Sequence, residues 1–373
     1  MIPGCTKASC SMEHCNDALL SKNFPGNHVF DLLSMCKVNM GVGGSTALLN
    51  IPVILVFLSG RRFRQDNKLL IALAIGDLFN CLGVGLMGLD RFITYSEIRE
   101  VCATSTETSW TCARKPYLAF RVIGNLWPPA VQFLIGFERA YCVLFPGAFK
   151  RYTNLKSLFA LSSTVLVTLV ALSVGYVNSS LNRDKSVKFD CGRSAVFSKP
   201  FATFIYNAET IGYTTAFVLN AIAFIKALKI KKRMFERICD YSRIDSAFRN
   251  TAKSSRDIRR IRICLVVTLL SLILVGAPNA YATFLSYIAP KRSNDEVGVN
   301  PTTVMACANS SLNIFIYILL NSEFRERLLA FLRCRRRSDV NSMVVVSISR
   351  STAAPSIRTI ASSQVFATRR TNR

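Results

Sequence analysis

Glu138-Arg139-Ala140-Tyr141 closes the third of seven apolar segments, and the reading of the whole chain turns on where this acid–arginine pair lies. Charged side chains at the edge of hydrocarbon are costly, and their presence there asks for a functional explanation. Outward from the pair, the apolar segments cover residues 38–58, 69–89, 117–145, 157–177, 201–225, 263–288 and 299–320. About 20 residues at ~1.5 Å rise cross a hydrocarbon core of about 30 Å. Without water to bond the backbone, each segment has to satisfy its own N–H and C=O groups, so all seven are predicted to be helices. The expected fold is an all-α membrane protein, a seven-helix transmembrane bundle with a short interfacial eighth helix.

The chain has 373 residues, 50% of them hydrophobic, and a net charge of +25. That charge would suit a nucleic-acid binder, but its distribution excludes the reading. With the N-terminus outside, inner segments hold 31 Lys and Arg and outer ones 14. A basic excess that alternates with the spans is the positive-inside pattern, so the chain is expected in the plasma membrane with its N-terminus extracellular and its C-terminus inside. Some inner cations also suit anionic inner-leaflet lipid. Residues 1–35 lack a basic region followed by an apolar core, so the first span itself is expected to start insertion.

Four regions follow: an extracellular tail over 1–37, the bundle over 38–320, the interfacial helix over 321–334 and a disordered cytoplasmic tail over 335–373. Cys5, Cys10, Cys15, Cys102, Cys112 and Cys191 fall in outer segments and can oxidise. The N-terminal three fit a local disulfide in a loose tail, or a lid over a ligand. Asn178-Ser179-Ser180 is a glycosylation sequon in the second outer loop; Asn309-Ser310-Ser311 matches the same pattern inside a helix and is discounted.

Inside the spans, polar residues are few and informative. Asp77 near mid-membrane costs roughly 2.5–3.5 kcal/mol even on the lenient insertion scale. It is therefore expected to face the interior, with Asn50, Asn309, Ser310 and Asn313 as polar partners; a purely structural buried aspartate is the alternative. Arg121 lies about five helical turns from Arg139, and suits an anionic ligand group; alternatively it pairs with Glu209 or snorkels outward. Glu209, Tyr213, Asn279, Tyr281 and Thr302 are further candidates for a pocket wall. Pro278 predicts a bend in the sixth helix, and Asn300-Pro301 a capped start for the seventh. The third inner loop, 226–262, holds 13 basic residues and is expected to continue helices five and six. Phe324, Leu328, Leu329, Phe331 and Leu332 share one apolar face, which predicts the interfacial helix, and Cys334 behind it is a palmitoylation candidate.

These residues, in this order and at these depths, resemble a rhodopsin-like (class A) G protein-coupled receptor across about 38–334. The resemblance rests on Asn50, Leu73-Ala74-x-x-Asp77, Glu138-Arg139 with Pro146, Pro278, and Asn313-x-x-x-Tyr317. Its divergence is similar to that of nematode serpentine chemoreceptors. The departures are Ala140 as the third motif residue, Ile314 and Phe315 where a proline is expected, and Gly276 where a tryptophan precedes Pro278.

The resemblance implies a Cys112–Cys191 disulfide, an extracellular ligand, and a heterotrimeric G protein as partner. Glu138, Arg139, Asn313 and Tyr317 would form the coupling switch, with Arg139 released from Glu138 on activation. It also implies arrestin and a receptor kinase acting on the Ser/Thr-rich tail. No cofactor is expected beyond a sodium ion beside Asp77, the one metal candidate. A peptide or small acidic ligand is favoured over an amine because of Arg121. An enzyme is not expected: His14 and His28, the two histidines, lie in the N-terminal tail, and no paired intramembrane aspartates occur. A transporter or ligand-gated channel subunit, with Asp77, Arg121 and Glu209 along a polar path, is the remaining alternative.

Overall fold

The computed structural model describes residues 27–101, 107–151, 154–187, 191–239, 244–288 and 301–332. Cys5, Cys10, Cys15, Cys102, Asn300, Cys334 and the tail 335–373 lie outside the described residues. The chain divides into two units: Met1–Leu328 holds the bundle, and Leu329–Arg373 is described only over the last turn of a helix.

Among the described residues, seven helices are long and apolar enough to cross a membrane. They are α1 (Asn27–Leu58), α2 (Lys68–Val101), α3 (Pro116–Leu144), α4 (Asn154–Leu181), α5 (Lys199–Cys239), α6 and α7 (Pro301–Leu320). Helix α6 runs over Ile244–Ser271, passes through a π-helical turn at Leu272–Gly276, and continues over Ala277–Ile288. Helix α8 covers Ser322–Leu332. The fold is thus a seven-transmembrane bundle.

Several helices outrun their apolar cores. Helix α2 continues through Asp90, Arg91 and Glu97 to Val101, where the charge pattern alone predicts a loop. Asp90 there accepts from Lys115 Nζ at 2.9 Å, which ties the extension to the start of α3. Helices α5 and α6 extend through most of the basic segment between them.

Small residues set the closest helix approaches, as expected where lipid supplies no hydrophobic drive between helices. A Cβ on Gly43 of α1 would sit 2.5 Å from Gly85 N of α2. One on Gly124 of α3 would sit 2.4 Å from Asn80 Cα of α2.

The π turn has a local cause. Pro278 cannot donate to the carbonyl four residues back and its ring crowds that carbonyl. The ladder widens by one residue before it: Ala277 N–H donates to Leu272 O, five positions back. This π turn lies just before Pro278, where the sequence predicts a bend.

The two ends of the bundle differ. At one end Cys112 and Cys191 form a disulfide with a Cα separation of 5.4 Å. Cys112 sits on the short helix Ser109–Ala113, whose capping box joins Thr108 and Thr111. Strand β1 (Glu107–Thr108) pairs antiparallel with β2 (Ser186–Val187), and Ser109 Oγ donates to Val196 O at 2.8 Å. At the Arg139 end, Phe57, Phe63, Tyr317 and Phe324 pack ring on ring, with centroids 5.1–5.8 Å apart for Phe57–Phe324 and Tyr317–Phe324. Arg327 stacks its guanidinium 4.5 Å above the Phe63 ring.

Candidate functional site

A narrow cavity opens inside the bundle below the disulfide. Its free space is about 20 Å³, room for roughly one water molecule. Helix α3 supplies Arg121 and Asn125, α5 supplies Glu209 and Tyr213, α6 supplies Asn279, and α7 supplies Thr302. Asp77 and Asn80 of α2 form its floor with Asn309 and Ser310, and Arg193 closes its top.

Arg121 is 6% exposed. Its Nη2 donates to Thr303 Oγ1 at 3.4 Å, while Nη1 is buried without a partner. Neither alternative drawn from the sequence holds: the side chain does not reach out of the bundle, and among the described residues no ion pair joins it to Glu209. Glu209 is 3% exposed and accepts from Asn279 Nδ2 through Oε2, leaving Oε1 without a partner.

Tyr281 does not belong to this wall. It is 64% exposed on the bare bundle surface. Residues two positions apart on a helix point about 200° apart, so Tyr281 faces away from the cavity that Asn279 lines.

The predicted polar layer assembles in part. Asn313 Nδ2 donates to Asp77 Oδ2 at 3.0 Å across 236 positions of sequence, with Ser310 beside the same carboxylate. Asn309 instead accepts from Ser271 Oγ of α6 at 3.1 Å, and that hydroxyl receives Gln132 Nε2 of α3 at 2.8 Å. Asn50 turns its amide back to Thr46 O at 3.0 Å, the i−4 carbonyl of its own helix, and among the described residues no hydrogen bond joins it to Asp77.

At the other end, among the described residues no ion pair joins Glu138 to Arg139. Adjacent residues on a helix point about 100° apart; Arg139 turns to α6, within hydrogen-bonding reach of Cys264, and its Nε is buried without a partner. The expected resting pair is therefore not the arrangement present. Tyr317, 2% exposed, is held in the aromatic cluster described above.

This geometry follows one family. The model of the serpentine type 7TM GPCR chemoreceptor Srsx family matches the chain over residues 46–332, from within α1 through α2 to α7 and the whole of α8. The chain belongs to the Srsx serpentine chemoreceptors. It is a receptor and a multi-pass membrane protein, not an enzyme. No curated protein matches it.

Sequence reasoning missed three polar side chains of this chemoreceptor's cavity: Asn80, Asn125 as a lining residue, and Arg193. Arg193 follows Cys191 by two positions, so a cation there has to sit over α3 once the disulfide forms. Cys191 adopts φ 47°, a left-handed conformation that turns the chain back over the bundle. The guanidinium then stacks 5.1 Å from the Tyr206 ring and donates to its hydroxyl at 3.2 Å.

The sequon lies at the end of a helix rather than in a loop. Asn178 lies within α4, and its Nδ2, the atom a glycan would occupy, donates to Phe197 O. The helical backbone and this bond set Asn178 apart from the open loop read from the sequence.

Proposed function

We propose that this chemoreceptor sits in the plasma membrane with its N-terminus outside and recognises a small acidic molecule, or an acidic group of a peptide, in the cavity beneath the disulfide. The observation that carries this reading is the buried Arg121 guanidinium with an unpartnered Nη1 facing that cavity. A guanidinium is suited to planar bidentate carboxylates, and its charge opposes an ammonium ligand. The 31 basic residues on one side of the spans against 14 on the other support the orientation.

Binding shifts the bundle only by the ligand's preference for one form; tenfold selectivity is worth about 1.4 kcal/mol. The form favoured by agonist opens the Arg139 end, where Arg139 leaves Cys264 and lines a cleft for a heterotrimeric G protein. Asp77, Asn313 and Tyr317 rearrange between the two forms. The Ser/Thr-rich tail is the substrate of a receptor kinase and the docking segment for arrestin, and Cys334 carries a palmitoyl group beside α8 at the lipid interface.

A sodium ion beside Asp77 is part of the proposal. The Asp77 carboxylate and Asn80 Oδ1, the latter buried without a partner, are hard oxygen ligands of the type such an ion takes.

The test is surface expression with a panel of G protein sensors and libraries of acidic metabolites and peptides. Arg121→Gln is expected to weaken the response to acids without lowering surface level. A receptor answering only amines, indifferent to Arg121→Gln, overturns the ligand class. A ligand-gated current that survives Arg139→Ala favours the channel instead.

A further inference from the structure

We infer that the ligand of this receptor is a small zwitterion, carrying a carboxylate and an ammonium group together as a free α-amino acid does. The inference rests on the acidic-ligand reading above and narrows it.

Arg121 of α3 and Glu209 of α5 are both more than nine-tenths buried, line one cavity, and each keep one terminal atom without a partner. Breaking or leaving open one half of a buried charge pair is strongly unfavourable. A ligand with only a carboxylate satisfies Arg121 and sets a second negative charge beside Glu209 Oε1. A ligand with only an ammonium group satisfies Glu209 and leaves the guanidinium bare. A molecule with both groups a few bonds apart completes both.

Arg193 adds the polarity of the arrangement. Its Nη1 is also buried without a partner, and it closes the cavity from the disulfide end. Of the two lining carboxylates, Asp77 is engaged by Asn313 at the floor, so the ligand's carboxylate sits between Arg121 and Arg193 and its ammonium at Glu209, where Asn279 holds the acceptor in position. The limited free space of about 20 Å³ favours a short skeleton, because each added group requires the walls to open further.

The experiment uses cells expressing the full chain with a G protein sensor and three matched probe sets: free α-amino acids, the corresponding α-hydroxy acids without the ammonium, and amino-acid amides without the carboxylate. Amino acids are expected to activate, with both analogue sets weaker by about 100-fold or more, since a site built for a polar group rejects ligands lacking it. Glu209→Gln is expected to remove the advantage of amino acids over hydroxy acids. Glu209→Asp, with surface staining as the folding control, retains that advantage at lower potency. Hydroxy acids as potent as amino acids on the wild-type receptor overturn the zwitterion while the acidic reading stands. Amides alone acting overturn both, and silence toward every free α-amino acid overturns the inference as well.

Discussion

Ser271 Oγ donates to Asn309 Oδ1 at 3.1 Å while receiving Gln132 Nε2 at 2.8 Å, and it does so at the last residue before the π turn of α6. One hydroxyl thus ties α6 to both α3 and α7. Where the resemblance expects a tryptophan before Pro278 the chain has Gly276, and under the proposed mechanism the Ser271 hydrogen bonds act as the latch on α6. Removing a buried hydrogen bond is worth about 1 kcal/mol, or about fivefold in an equilibrium. Ser271→Ala is expected to raise basal nucleotide exchange on the coupled G protein roughly twofold to fivefold. Basal signal normalised to surface receptor measures it; an unchanged or lower signal removes the latch from the mechanism.

Gly124 and Gly41 offer a matched contrast in packing. A methyl group on Gly124 meets Asn80 Cα at 2.4 Å, backbone that cannot yield without separating α2 from α3, whereas one on Gly41 meets nothing within 4 Å. Overpacking costs typically about 1–3 kcal/mol, so Gly124→Ala is expected to lower the melting temperature of purified receptor. Gly41→Ala should leave it unchanged or raise it, since helical alanine gains up to about 1 kcal/mol over glycine. Equal melting temperatures for the two variants would contradict the close approach.

Cys112 and Cys191 close a loop across 79 positions and hold Arg193 over the cavity. Loss of such a bond typically costs about 2–4 kcal/mol. Cys112→Ser and Cys191→Ser are expected to destabilise the receptor equally, with the double variant no worse than either, because both delete the same bond. Additive losses in a thermal-stability assay would mean that the two cysteines act separately.

The fold was legible because hydrocarbon imposes length and polarity on each span, and the depths of Asp77, Arg139 and Asn313 could be read from the apolar segments. Length failed where helices leave the membrane: Asp90, Arg91 and Glu97 read as loop, yet α2 continues through them to Val101. Within the cavity, Arg121, Glu209, Tyr213, Asn279 and Thr302 were found from single polar residues inside apolar helices. Tyr281 was a misreading that helical periodicity already opposed. Arg193 needed the disulfide, which brings the segment after α4 over α3 and is a tertiary fact. The choices of Asn50 and Arg139 were likewise beyond sequence, since each has several partners in reach and only packing selects Thr46 O for one and Cys264 for the other.

Asn178 is expected to carry no glycan, because its Nδ2 is bonded to Phe197 O and its backbone is helical. Treatment of surface-expressed receptor with an endoglycosidase should leave its electrophoretic mobility unchanged, and Asn178→Gln should do the same. A mobility shift abolished by Asn178→Gln would show that this end of α4 opens before or during insertion.

Asp77 and Asn313 provide the most direct test of the polar layer. The 3.0 Å bond from Asn313 Nδ2 to Asp77 Oδ2 joins α2 to α7 in the interior, where both side chains are at most 4% exposed. Deleting one partner leaves the other unsatisfied at a cost of about 1–3 kcal/mol, more for a charge. Asp77→Asn and Asn313→Ala are therefore each expected to reduce signalling by about tenfold. The exchange Asp77→Asn with Asn313→Asp keeps one carboxylate and one amide across the same gap, so it should recover much of the loss. If sodium binds beside Asp77, exchanging sodium for choline in the medium changes agonist potency in the wild type and not in Asp77→Asn, where the carboxylate is gone. Failure of the exchange to rescue, together with sodium sensitivity that persists in Asp77→Asn, would place the coupling between these helices elsewhere.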